Sequence, residues 1–301
     1  CTRGCPFRCA YCLSGISRTV RKRSLELVLR DMDRFIAAGV PLVKFVDRTY
    51  NLDERYFLPM MRYLAQADTQ ATFHFEIKAD MLSTDVLDFL ATVPKGRFQM
   101  EIGIQSTHQP TLKAINRQDN WEKLAANVKR LLSFGNMHIH VDLIAGLPGE
   151  DSEMFKNSID EVIALNPENI TVHSMCIKRA ADLKQRVKQL TAAEEMNKML
   201  SYAQKRMNET HREPYYMYRQ KNSSGNLENV GYAKKGFMST YNVNIMEEKQ
   251  TIIAMGGGGS TKLVMGDRIE RIFNFKDPLE YIRRFDEILR KKDEIPIIFS
   301  N

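Results

Sequence analysis

The chain has 301 residues, 43% of them hydrophobic and 27% charged, with a formal net charge of +7 and five cysteines. That is enough for one large domain or a domain with a sizeable extension, and no run of about 18 apolar residues is present to cross a bilayer. Four of the five cysteines fall in the first twelve residues, which is unlike a small secreted disulfide framework and is expected of a reducing, cytoplasmic setting where thiolates stay available for metal.

Cys5, Cys9 and Cys12 stand in a C-x3-C-x2-C run, with Tyr11 just before the last cysteine. Iron–sulfur clusters usually take four cysteines, so three thiolates on one loop hold three irons of a [4Fe-4S] cluster and leave one iron open. A zinc site would want a second C-x2-C or C…H pair at finger spacing, and none follows. Cys1 is left over from the pattern. The chain opens on Cys1 without a methionine, which reads as a partial or trimmed chain lacking the strand that normally leads into such a loop. Arg18, Arg21, Lys22 and Arg23 follow the cysteines. They read as a solvated patch or as attraction for an anionic small molecule. No aromatics interleave with them, so nucleic acid is not favoured.

In chain order, Ser24 caps a helix to about 38, ended by Gly39, with apolar residues at helical spacing. A short apolar strand follows at 42–47, a helix at 53–66, a strand at 72–77 and a helix opening at Ser83. Strands at 97–104, 137–144 and 169–176 alternate with helices at 121–134 and 151–165. Five strands alternating with helices argue for a parallel sheet of βαβ units. With the strand expected before Cys1, the reading is an α/β fold, a partial (βα)6 TIM-type barrel. Beyond it, 191–208 reads as a helix, while 215–219, 241–247 and 251–255 read as short strands. A glycine run, Gly256 to Gly259, and a closing amphipathic helix at 277–290 complete a C-terminal α+β extension. The domains are read as 1–180 and 181–301.

Chemistry in such barrels gathers at the carboxyl ends of the strands. There the sequence offers Asp47, Glu76, Glu101 with Gln105, Asp142, and His173. In the extension, Arg219 and Lys221 fall in a dense polar run after an apolar strand, either as a solvated turn or as two cations for substrate carboxylates. His173 reads as a satisfied core histidine or as a substrate-facing group on the last barrel strand.

The cysteine spacing with its aromatic resembles the radical S-adenosylmethionine (SAM) superfamily. The segment Asp142-Leu143-Ile144-Ala145-Gly146-Leu147-Pro148-Gly149-Glu150 resembles the fifth strand of its oxygen-independent coproporphyrinogen III oxidase class. The resemblance implies that Cys5, Cys9 and Cys12 ligate the cluster and that Tyr11 lies near the adenine of SAM. It implies SAM contacts from Glu76, Gln105, Arg117 and Asp142, and that the run around Gly257 lines the SAM side. The usual Gly-Gly-Glu of the family is replaced by Val46-Asp47-Arg48-Thr49, so Asp47 is a weaker match for the SAM amine.

The first 150 residues, with Phe45-Val46-Asp47-Arg48-Thr49 and Phe73-His74-Phe75-Glu76-Ile77, look most like radical SAM proteins of the cobalamin-domain type. From about residue 169, Thr171-Val172-His173-Ser174, Tyr218-Arg219-Gln220-Lys221-Asn222 and Asn229-Val230-Gly231-Tyr232 look like the coproporphyrinogen dehydrogenase class, so the chain reads as a natural mosaic, a recombinant chimera or a designed sequence. The implied activity is a radical SAM oxidoreductase. SAM cleaved to a 5′-deoxyadenosyl radical would start oxidative decarboxylation of coproporphyrinogen III, with His173, Arg219 and Lys221 facing substrate. A flavodoxin or ferredoxin would supply electrons. The alternatives are a radical SAM enzyme of another substrate class and a haem-binding or chaperone-like relative without turnover.

Overall fold

The computed structural model describes residues 1–13, 17–178, 180–186, 190–221 and 223–295. Asn222, in the dehydrogenase-like run from Tyr218, lies outside them. The chain divides into two compact units, Cys1–Met238 and Ser239–Asn301, so residues 181–238 belong with the barrel rather than with the chain end.

The first unit opens with two short antiparallel strands, β1 (Thr2–Arg3) and β2 (Arg21–Lys22). Then follow α1 (Leu25–Ala37), β3 (Leu42–Lys44), α2 (Glu54–Gln66), β4 (Thr72–Ile77), α3 (Thr84–Ala91), β5 (Phe98–Gln105), α4 (Gln109–Ala114), α5 (Trp121–Phe134), β6 (His138–Ala145), α6 (Ser152–Leu165) and β7 (Asn169–Ser174). After β7 come α7 (Leu183–Arg186), α8 (Ala193–Glu209), β8 (Arg212–Tyr218) and β9 (Asn229–Lys234).

Strands β3 to β7 run parallel in sequence order, and the sheet then continues through β9, antiparallel to β7, to β8, which is antiparallel to β9, giving seven strands. The five parallel strands match the sequence reading, and the sheet curls as a partial barrel. Strand β9 was not anticipated. Its Asn229-Val230-Gly231 start is poor in β-formers, and Gly231 is there for another reason: a Cβ on it would stand 1.8 Å from the Tyr216 ring. That close approach lets β8 lie against β9.

Period-2 alternation divides the strands into two faces. Phe73, Phe75, Phe98, Met100, Ile102, Ile139, Val141, Ile170 and Val172 are buried on the helix-covered face. Phe75 anchors this layer, stacked on Phe45 at 4.9 Å and edge-on to Phe98 at 5.2 Å. The opposite face carries Lys44, His74, Glu76, Gln99, Glu101, Gly103, His138, His140, Asp142, Thr171 and His173. The inside of this half-barrel is therefore polar, where a closed barrel is filled with branched apolar side chains.

The second unit departs from the sequence reading. Residues 241–247, expected as a strand from their alternating Tyr241, Val243 and Ile245, form the helix α9 (Thr240–Met246), closed by Val243 N–H to Ser239 O and Glu247 N–H to Val243 O. In this unit the strand pairing goes instead to an unanticipated hairpin, β10 (Ser260–Met265) and β11 (Arg268–Phe273). The expected strand at 251–255 contributes one bridge, Ile252 to Lys262. The closing helix is two, α10 (Pro278–Arg283) and α11 (Phe285–Asp293), interrupted at Arg284. Among the described residues no helix is long and apolar enough to cross a membrane.

Candidate active site

The cysteine loop is pinned over the carboxyl ends of the strands by backbone bonds. Ala10 N–H donates to Ile115 O at 2.7 Å, and Leu183 N–H donates to Ala10 O at 2.8 Å. Ala10 is fully buried in a small cluster with Leu112, Ile115, Ile144, Leu147, Met175 and Leu183, against which Tyr11 packs. Gly4 has φ +97°, and a Cβ there would meet Thr19 O at 2.3 Å, so the turn into the loop requires glycine.

A cleft of about 380 Å³ lies beneath the loop. Its lining brings together Cys5, Cys9, Tyr11, Cys12, Glu76, Gln105, Arg117 and Asp142, eight residues separated by up to 137 positions in the chain. Among the described residues no three His, Cys, Asp or Glu side chains converge on one ion-sized point. A [4Fe-4S] cluster takes each thiolate on its own iron, so its cysteines need not meet at one point. Three soft donors on a loop that needs Gly4, facing a cleft lined by Arg8, Arg48, Lys78 and Arg117, fit such a group. Burial pushes the Cys9 thiol up, and Arg117 and Lys78 pull the other way.

The end of β5 is shaped for this cleft. Gln105 sits in the left-handed region at φ +71°, and the register with β6 slips between Gly103 and Gln105. A non-glycine residue is rarely held there, and such outliers gather at ligand sites. Gly103 makes room: a Cβ would stand 2.3 Å from Gln105 Nε2, and Gly103 O accepts from Arg117 Nη2 at 2.5 Å. Asn116 (φ +55°) then turns the chain after α4 so that Arg117 points back. Arg117 donates to Asp119 from Nε and to the Tyr11 hydroxyl from Nη1 at 3.1 Å. Asp119, whose side chain is 2% exposed, is shared with Lys78.

Farther along the sheet, Asp142 lies 3.4 Å from His140 Nε2 and 3.5 Å from His173 Nε2. Burial opposes charge on Asp142, but these imidazoles outweigh it and hold the carboxyl well below the usual range. His173 also meets the Tyr218 hydroxyl at 3.4 Å.

Asp47, Arg219 and Lys221, expected at the site, lie elsewhere in the first unit. Asp47 is buried and does not line the cleft; its Oδ1 accepts from both the N–H and the hydroxyl of Thr2 at 2.6 Å. The neighbouring Arg48 and Thr49 line the cleft instead. Arg219 and Lys221 line a separate shallow groove with Gln220 and Asn226. Gly257 belongs to the second unit, in the turn that leads into β10. Sequence reasoning missed Lys44, Lys78, Asp119 and His140. Alternation could have found His140, which shares its face with Asp142 two residues on.

Comparison with known proteins settles the family. The sequence profile described as the radical SAM superfamily matches residues 1–162. The chain belongs to the radical SAM superfamily. The cofactors of that family are a [4Fe-4S] cluster and SAM. Among curated proteins, the chain is similar to the oxygen-independent coproporphyrinogen-III oxidase-like protein HemZ of Bacillus subtilis, 40% identical over 198 residues, covering 64% of this chain and 40% of that protein. It is also similar to the ribosomal protein uS12 methylthiotransferase RimO of Elusimicrobium minutum, 27% identical over 212 residues, covering 64% of this chain and 49% of the relative. The chain thus spans less than half the length of either relative. Among solved structures, coproporphyrinogen III oxidase HemN from Escherichia coli superposes with a TM-score of 0.62 at 18% identity, over 95% of this chain and 68% of that one. The methyltransferase TsrM from Kitasatospora setae gives 0.55 at 15% identity, over 79% of this chain and 46% of that one. These superpositions establish the radical SAM fold.

The Leu147-Pro148-Gly149-Glu150 turn of this radical SAM barrel carries a buried acid. Ser106 Oγ donates to Glu150 Oε1 at 2.6 Å, and burial pushes the Glu150 pKa from 4.5 up to about 7. The folded chain therefore favours the protonated acid. The stability this contributes is complete below about pH 4.5 and is lost as pH rises through about 7. Glu150→Gln is expected to be more stable than wild type at pH 8, by on the order of 2 kcal/mol, and level with it near pH 4.5. Urea unfolding at the two pH values checks this; the same gap at both would contradict it.

Proposed function

We propose that the chain forms the barrel of a radical SAM oxidoreductase that decarboxylates coproporphyrinogen III without oxygen, in haem and porphyrin biosynthesis. The observation that carries the radical SAM part is the gathering of Cys5, Cys9, Cys12, Glu76, Gln105, Arg117 and Asp142 around one cleft. The substrate rests on the 40% identity to HemZ. In this reading Cys5, Cys9 and Cys12 hold three irons. When bound, the cluster and SAM supply a one-electron reductant and a carbon-centred radical able to abstract hydrogen.

The residues of the chain bind, orient and exclude water. Arg117 offers a forked guanidinium to the SAM carboxylate, Glu76, Gln105 and Asp142 accept from its ribose hydroxyls or amine, and Tyr11 stands at the adenine. His173, beside Asp142, would face the propionate, whose hydrogen atom would pass to the carbon-centred radical and whose remaining electron would pass to an external one-electron acceptor as CO2 leaves and a vinyl group forms. Arg219 and Lys221 would meet only a substrate long enough to reach their separate groove. A flavodoxin or ferredoxin as electron donor and a reducing cytoplasmic setting belong to the same reading.

The similarity to methylthiotransferases supports a second reading, a radical SAM reaction on another substrate. Anaerobic reconstitution followed by assay with coproporphyrinogen III separates the two. Formation of 5′-deoxyadenosine together with a vinyl product is expected. Deoxyadenosine without vinyl product would leave the radical chemistry standing and remove the porphyrinogen.

A further inference from the structure

Glu76 and Glu101 are Cα partners on the neighbouring parallel strands β4 and β5 and share the polar face of the sheet. Both line the cleft. Two carboxylates side by side in a partly buried site repel unless a cation stands between them. Lys44, from β3, is that cation. Its Nζ lies 2.5 Å from Glu101 Oε2 and 3.5 Å from Glu76 Oε1, with a side chain 9% exposed. Glu101 has a second neighbour, His74 Nε2 at 2.9 Å. The sharing is unequal: Glu101 is held by two groups, and Glu76 has the longer arm of the ammonium.

We propose that Lys44 is a positioning residue, which through its shared contact with Glu101 governs whether Glu76 meets SAM as a charged carboxylate. The inference rests on the reading that Glu76 contacts SAM. The charged and titratable groups facing Glu76 are Lys44 on β3, Arg48 after β3, Glu101 on β5 and Asp142 on β6; His74, on its own strand, is engaged with Glu101. Burial, then Glu101 and Asp142, push the Glu76 pKa up to about 7, against the pull of Lys44 and Arg48. A group poised there changes charge on small changes in its neighbours.

The test is SAM binding by equilibrium dialysis on cluster-reconstituted protein between about pH 6 and 9, with iron content and melting temperature matched between variants. Lys44→Met is expected to move the pH profile of binding up by about one unit, so that affinity drops several-fold at pH 7 and converges on wild type by pH 9. Lys44→Arg is expected to keep the wild-type profile. Glu101→Gln, which removes the repulsion and releases Lys44 from its Glu101 contact, is expected to move the profile down and bind SAM better than wild type at pH 6. A damaged fold does not produce a gain, so this second variant keeps the inference falsifiable if Lys44→Met fails to fold. An unmoved profile in Lys44→Met, a loss equal at every pH, or no downward move in Glu101→Gln would overturn the inference. Glu76→Gln separates the two levels. If it weakens SAM binding while the Lys44→Met profile stays put, the inference falls alone; if SAM ignores it, the reading of Glu76 falls as well.

Discussion

Cys9→Ala is expected to abolish the iron–sulfur chromophore and SAM cleavage together, taking iron from about four per chain in anaerobically reconstituted wild type to a small fraction of that. The loop itself should survive the change. It is held by Ala10 N–H to Ile115 O, by Leu183 N–H to Ala10 O and by Asn116 Nδ2 to Arg8 O at 2.9 Å, none of which involves the Cys9 thiol. The variant should therefore unfold at nearly the wild-type denaturant concentration while staying colourless. Cys176→Ala is the matched control. Its thiol donates to Lys221 O at 3.1 Å, beside the shallow groove rather than in the cleft, and iron content should not change. A wild-type chain that takes zinc in preference to iron, or remains colourless with iron and sulfide, would remove the proposed chemistry.

Arg117→Met is the second large effect. With its fork gone, SAM affinity is expected to fall about 10- to 100-fold, the worth of a charge-assisted hydrogen bond or two. Arg117→Lys should recover only part of this, because a single ammonium cannot span a carboxylate. Stability should suffer less than affinity. Stripping one partner from a buried ion pair costs about 3–5 kcal/mol when the other is orphaned, but Asp119 keeps Lys78. Equilibrium dialysis and urea unfolding on the same preparations give both numbers. SAM binding unchanged in Arg117→Met would take that residue out of the site.

What was readable in the sequence was local. The cysteine loop is a twelve-residue pattern whose chemistry needs no tertiary information. Helix α5 was placed to the residue because both its ends are written in the chain: Asn120 accepts from Lys123 N–H at 2.8 Å, and Gly135 closes the helix at φ +63°. The alternating strands β4 to β6 were found within a residue or two for the same reason. Of the site residues that were missed, Lys44 depends on register. It becomes a partner of Glu101 only once β3, β4 and β5 are aligned, and nothing in either segment states that alignment. Asp47 shows the converse. Its side chain has the right chemistry, yet β3 ends at Lys44 and the backbone turns, giving Asp47 to Thr2 and Arg48 to the cleft. In the second unit, Tyr241, Val243 and Ile245 alternate as in a strand, but with β10 and β11 paired to each other the segment closed on itself as a helix.

The insertion of β9 between β7 and β8 has a consequence for how the protein is made. Among the described residues, the outer edge of β7 is paired by the strand Asn229–Lys234, which leaves the ribosome well after the parallel strands are complete. Until then the nascent chain carries a naked row of amides and carbonyls beside Ile170 and Val172, a template for pairing with other chains. Truncations that stop after β7 should consequently aggregate, whereas those extending past Lys234 should stay dispersed.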